Sequence, residues 1–146
     1  MLFRSPDLRT RGRNARDARP LSADPVSVMV DFAGSGQSAA EFTVSLGGTQ
    51  RDGLADTTGR VVYDWDASWD VGVAEAADAW TAEFRIPWSV AGAPPAGATR
   101  TLGLWVGTFV KSRGLRLAYP AVAIEDRKST RLNSSHSSVS RMPSSA

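Results

Sequence analysis

The sequence predicts an all-β fold, an antiparallel β-sandwich of jelly-roll type. Three observations carry it: apolar and polar residues alternate in four segments, Gly- or Pro-rich breaks separate them, and no long stretch holds the three-four apolar spacing of a helix. Val26, Val28, Val30 and Phe32 share one face of the first strand, and Phe42, Val44 and Leu46 one face of the second. AGSGQSA between them supplies Gly34 and Gly36 for a hairpin loop. Trp69, Val71 and Val73 repeat the pattern, as do Trp80, Ala82, Phe84 and Ile86, and AEAADA joins the two as a hairpin. Pro87 closes that strand because it has no N–H for a ladder, and WSVAG reads as one helical turn before the loop AGAPPAGAT. TLGLWVGTFVK is apolar on both faces, as a central strand should be, and LRLAYPAV is the last strand. Asp52 and Gly53 in QRDG read as a turn, with glycine supplying positive φ. A sandwich wants seven or so strands, so five or six read as a fold truncated at its N-terminal edge, with a raw sheet edge exposed.

The two ends read differently. DRKSTRLNSSHSSVSRMPSSA has no period of either kind, and written back into codons it fits a common sequencing adapter; LFRS near the start fits the adapter of the opposite read. The expected organisation is therefore residues 1–5 and 126–146 as adapter-derived, 6–24 as a solvated basic lead-in, and 25–125 as the sandwich. With Arg4, Arg127, Lys128, Arg131, Arg141 and Asp126 set aside, 17 Lys+Arg and 15 Asp+Glu fall to 12 and 14, a net charge of −2. The basic balance that would suggest nucleic acid thus disappears, and no nucleic-acid partner is expected. Cysteine is absent and the single histidine, His136, lies in the adapter-like run, which removes thiolate and histidine chemistry together. No apolar run is long enough to cross a bilayer as a helix.

Four stretches carry a resemblance. ADPVSVMVDF, AEFTVSLGGTQRDG, YDWDASWD and WTAEFRIPW stand in order between Ala23 and Trp88. Together they resemble the family 9 carbohydrate-binding-module-like domains, of the type that precedes an outer-membrane β-barrel of unassigned function. Ser45 stands where that family usually has asparagine, Gly47 where it has proline, and LGLWVGTF only loosely echoes its WGxNF strand. The resemblance implies a non-catalytic glycan-binding module of a secreted or cell-envelope protein involved in carbohydrate use, whose parent carries a β-barrel or a catalytic domain. It also implies that some members hold calcium.

Sugar rings present C–H faces, so flat aromatic side chains beside hydroxyl-bonding carboxylates or amides are the expected recognition chemistry. Trp69 and Trp80 fall in step with core residues and read as packing. Trp65, between Asp64 and Asp66 in a polar loop, is the first candidate platform, and Trp88 and Trp105 follow, with Tyr119 as a rim hydroxyl and Asp64, Asp66 and Arg85 fixing sugar hydroxyls. Asp31, Asp64 and Asp66 are candidate calcium ligands, since a hard cation takes loop carboxylates. Asp64, Asp66 and Asp70 read as turn acids rather than a glycosidase pair, so no catalytic residue is assigned. The competing expectation is a structural or interaction sandwich without sugar binding.

Overall fold

The computed structural model describes residues 2–4, 12, 14–92 and 101–120. The adapter-like run 126–146 and most of the loop before Thr101 lie outside them. The chain is all-β, and among the described residues the helical segments are single 3-10 turns at Trp88–Ala91 and Lys111–Arg113. Its strands are β1 (Leu2–Arg4), β2 (Pro25–Asp31), β3 (Ala39–Ser45), β4 (Gln50–Ala55), β5 (Val61–Val62), β6 (Asp70–Glu75), β7 (Ala79–Arg85), β8 (Gly103–Val110) and β9 (Leu115–Tyr119). One antiparallel sheet runs β5-β4-β3-β2-β8-β9, and the β6–β7 hairpin packs against it, with β1 paired along the free edge of β7.

The alternating rhythm does what it dictates. Val26 opposes Val44, Val28 opposes Phe42 and Val30 opposes Ala40, so one face of β2 and β3 is apolar throughout. Val71, Val73, Trp80, Ala82 and Phe84 of the hairpin face that surface. Trp69 joins the layers: it meets Phe42 edge-on at 5.3 Å and stacks on Phe84 at 5.7 Å with 7° between the planes. Trp69 and Trp80 are both buried, as their phase predicts.

The β2–β3 loop closes through backbone chemistry. Gly34 has φ +62, which an L side chain would resist, and a β-carbon there would stand 2.6 Å from the Thr101 carbonyl oxygen. Both carboxylate oxygens of Asp31 are used in the same loop, accepting from Ala33 N at 3.0 Å and Gly36 N at 2.6 Å.

Three expectations are corrected. Asp52 and Gly53 are not a turn but lie inside β4, and Gly53 does not have positive φ. The alternation did not reveal β4 because its inward positions hold Gln50 and Asp52, polar residues satisfied by partners distant in sequence. The basic lead-in is solvated only in part: Arg16 and Arg19 are exposed, but Leu21, Ala23 and Asp24 are buried, and Lys111 Nζ donates to the Leu21 carbonyl. Finally, β8 is hydrogen-bonded on both sides, as a central strand is, yet the hairpin does not cover its inward face fully. Leu104 is 60% exposed, Leu117 52% and Tyr119 75% on the inner flank formed with β9.

Removing the ring that bridges the layers should be costly. Phe42→Ala is expected to lower unfolding free energy by about 3 to 5 kcal/mol, whereas Leu117→Ser on the open flank should change it by less than about 0.5 kcal/mol, both read by denaturant titration.

Candidate functional site

The six-stranded sheet has two unlike faces, and the outward one holds the chemistry. By register, Gly53, Glu41, Met29 and Trp105 form one row across β4, β3, β2 and β8, and Arg51, Thr43, Ser27 and Gly107 form the next. An outward face of a sandwich is ordinarily solvated. Here Glu41 and Thr43 are buried.

Both ends of these rows carry an aromatic ring lying over a glycine. A β-carbon at 53 would meet Tyr63 Cδ1 at 2.9 Å and the Val62 carbonyl oxygen at 2.7 Å. One at 107 would fall into the Trp105 indole, with Cζ2 and Cζ3 at 2.7 and 2.8 Å. The missing side chains therefore let each ring lie close against the strands. Trp105 remains partly exposed.

Between the rings runs a polar network centred on Glu41. Glu41 Oε1 accepts from Thr43 Oγ1 at 2.8 Å and from Ser27 Oγ at 3.2 Å, while the two hydroxyl oxygens lie 2.6 Å apart. Tyr63 OH donates to Glu41 Oε2 at 3.5 Å, and Arg51 Nη2 reaches Oε1 at the same distance. The guanidinium groups of Arg19 and Arg51 lie 4.6 and 4.7 Å from the Tyr63 ring centre. Burial raises the Tyr63 phenol pKa, the Glu41 charge adds to it, and Arg51 and Arg19 oppose.

A second polar centre fixes the lead-in from the inner side. Asp52, fully enclosed, accepts from Arg16 Nη2 at 2.6 Å, from Trp69 Nε1 at 3.2 Å and from Ala67 N at 2.6 Å. The same Arg16 nitrogen donates to Asp66 at 2.8 Å and to the Ala67 carbonyl at 3.1 Å. Burial works against the Arg16 charge, but the Asp66 hydrogen bond and the charges of Asp52, Asp17 and Asp66 more than offset it and raise its pKa.

The residues singled out from sequence do not converge on one platform. Trp65 is half-buried, edge-on to Phe42 at 6.0 Å, and so packs with the core. Asp66 is paired with Arg16, and Asp64 is exposed. Trp88 is 50% exposed and rests edge-on against Phe32. Arg85 projects from β7 with only a 4.0 Å contact to Asp70, and Tyr119 lies on the opposite face of the large sheet from Trp105. Asp31 is used by its loop, and among the described residues no three acidic, histidine or cysteine side chains group as a cation site. Tyr63, Arg51, Arg19, Glu41 and Ser27 were missed. The pairing of β4 with β3 brings Arg51 to Glu41, Tyr63 follows β5 on the other side of β4, and Arg19 arrives with the lead-in, so no local pattern gathers them.

Compared with family models, curated proteins and solved structures, the chain matches none. Among the described residues no helix is long and apolar enough to cross a membrane.

Two outcomes test this geometry. Asp52→Ala strands the Trp69 and Ala67 donors and should destabilise by about 2 to 4 kcal/mol, while Asp66→Ala, at an exposed pair, should cost less than about 1 kcal/mol. Because the fold favours the neutral Tyr63 phenol, that contribution is full below the ordinary phenol pKa of about 10 and is lost as pH rises through the raised one. Alkaline unfolding midpoints of wild type and Tyr63→Phe should differ accordingly, the variant losing less stability over that range.

Proposed function

We propose that the chain is a non-catalytic carbohydrate-binding β-sandwich whose contact surface is the outward face of the six-stranded sheet. The observation that supports this best is the Trp105 indole lying close over Gly107. A flat ring suits a sugar's C–H face, and one held close against the strands loses little rotamer freedom on binding because the packing already restricts it. Ser27, Arg51 and Tyr63 lie along the same rows with hydroxyl and guanidinium groups able to bond sugar hydroxyls. The resemblance to the family 9 modules supports the same reading, and with it a secreted or cell-envelope setting and a parent that carries a β-barrel or catalytic domain. Calcium is not assigned a place.

A second reading, an interaction sandwich, is favoured by a specific feature: the inner flank of β8 and β9 exposes Leu104, Leu115, Leu117 and Tyr119 with no charged side chain among them. The two readings use opposite faces and so separate by mutation.

Titration with a panel of neutral oligosaccharides, followed by tryptophan fluorescence, tests the first. At least one should bind, and both Trp105→Ala and Gly107→Ala should weaken it about tenfold or more, the latter by lifting the ring from its seat while leaving the indole in place. Binding unaffected by both variants, or no binding to any sugar, would leave only the interaction reading standing.

A further inference from the structure

Two cations share one aromatic ring on this face, and the described residues provide too little negative charge for them. Arg19 and Arg51 lie 4.6 and 4.7 Å from the centre of Tyr63. Like charges so placed repel, less in water than at a partly covered surface. Among the described residues the carboxylate within reach is Glu41, which already accepts from Ser27 and Thr43 and makes a single contact with Arg51, at 3.5 Å. Among the described residues Arg19 has no carboxylate within ion-pair distance, and Arg51 Nε is buried without an acceptor. A buried donor left unmade is unfavourable and asks for an explanation.

The position of this pair matters as much as its charge. Arg51 in β4 and Gly107 in β8 stand in one row, three strand steps apart, or about 14 Å at the usual spacing. An oligosaccharide of a few residues covers that distance. One end would stack on Trp105 while the other meets two guanidinium groups, whose planar forks suit a carboxylate.

We infer that this face selects acidic glycans, with a uronate carboxylate held by Arg19 and Arg51 beside Tyr63 and a neighbouring ring on Trp105. The inference rests on the glycan-binding reading above and adds the ligand class.

The test uses the full chain and two probes that differ only in charge, trigalacturonate and its methyl ester. The free acid should bind about ten- to a hundredfold more tightly than the ester, as charge-assisted hydrogen bonds imply. Arg19→Gln, at an exposed position, should remove most of that difference while leaving ester binding unchanged, and Arg19→Lys should restore part of it. Arg51→Gln should act likewise where it folds, as judged by its thermal midpoint. Arg85→Gln, on the outer side of the hairpin, should change nothing. Equal affinity for acid and ester overturns the inference while leaving neutral-glycan binding through Trp105 intact. An equal loss in Arg85→Gln and Arg19→Gln overturns it as well, because diffuse charge would then account for the preference. Failure of every sugar, charged or neutral, sinks the glycan reading itself.

Discussion

The arrangement of the molecule depends on one enclosed carboxylate. Asp52 projects inward from β4 opposite the apolar Phe42, and burial of a lone charge there would be prohibitive. It is tolerated because three donors converge on it: the Arg16 guanidinium, the Ala67 amide and the Trp69 indole. Each draws in a different part of the chain. Trp69 is thereby oriented to meet Phe42 and stack on Phe84, which couples the two layers. Ala67 fixes the irregular stretch between β5 and β6. Arg16 brings the lead-in alongside β4, where Asp17 N donates to the Gln50 carbonyl, and this places Arg19 three residues on against Tyr63. Core and outward face are thus tied through one group, and its loss should be felt on both.

The strands β2, β3, β6, β7 and β8 were legible because each turns an apolar row toward the core, and period-two alternation records that directly; β9 carries the same alternation in Leu115, Leu117 and Tyr119 although it stays exposed. β4 was not. Two of its three inward residues, Gln50 and Asp52, are polar, and what satisfies them, Trp69 and Arg16, lies more than fifteen positions away. No local pattern carries such information. The same holds for the site: Trp105 could be singled out from its phase in TLGLWVGTFVK, but the value of Gly107 and Gly53 lies in what rests on them. Trp65 misled for the converse reason. A polar neighbourhood in sequence, Asp64 and Asp66, suggested an open loop, whereas the Arg16 bond to Asp66 helps hold that segment close enough for the indole to reach Phe42.

The two faces of the large sheet pose different chemical questions. The inner flank of β8 and β9 is leucine-rich and lacks hydrogen-bonding side chains apart from Thr108, whose hydroxyl donates to the Pro25 carbonyl, and the Tyr119 hydroxyl. Such a surface gains most from another apolar surface and offers little to a polyhydroxylated ring. The outer face offers aromatic area and fixed donors in the same rows. Recognition of sugars needs both, since stacking alone does not distinguish one ring from another and hydrogen bonds alone are exchanged against water at little profit.

Rigidity decides how much of that chemistry turns into affinity. A tryptophan on an open strand samples several rotamers and must be ordered on binding, whereas an indole seated over Gly107 has been ordered during folding. Tyr63 over Gly53 is in the same position, further restrained by its bond to Glu41 and by two guanidinium groups. The hydroxyls of Ser27 and Thr43 lie against one another and against Glu41, so this cluster ties β2 to β3 on the outer face and holds the rows between the two rings in one arrangement.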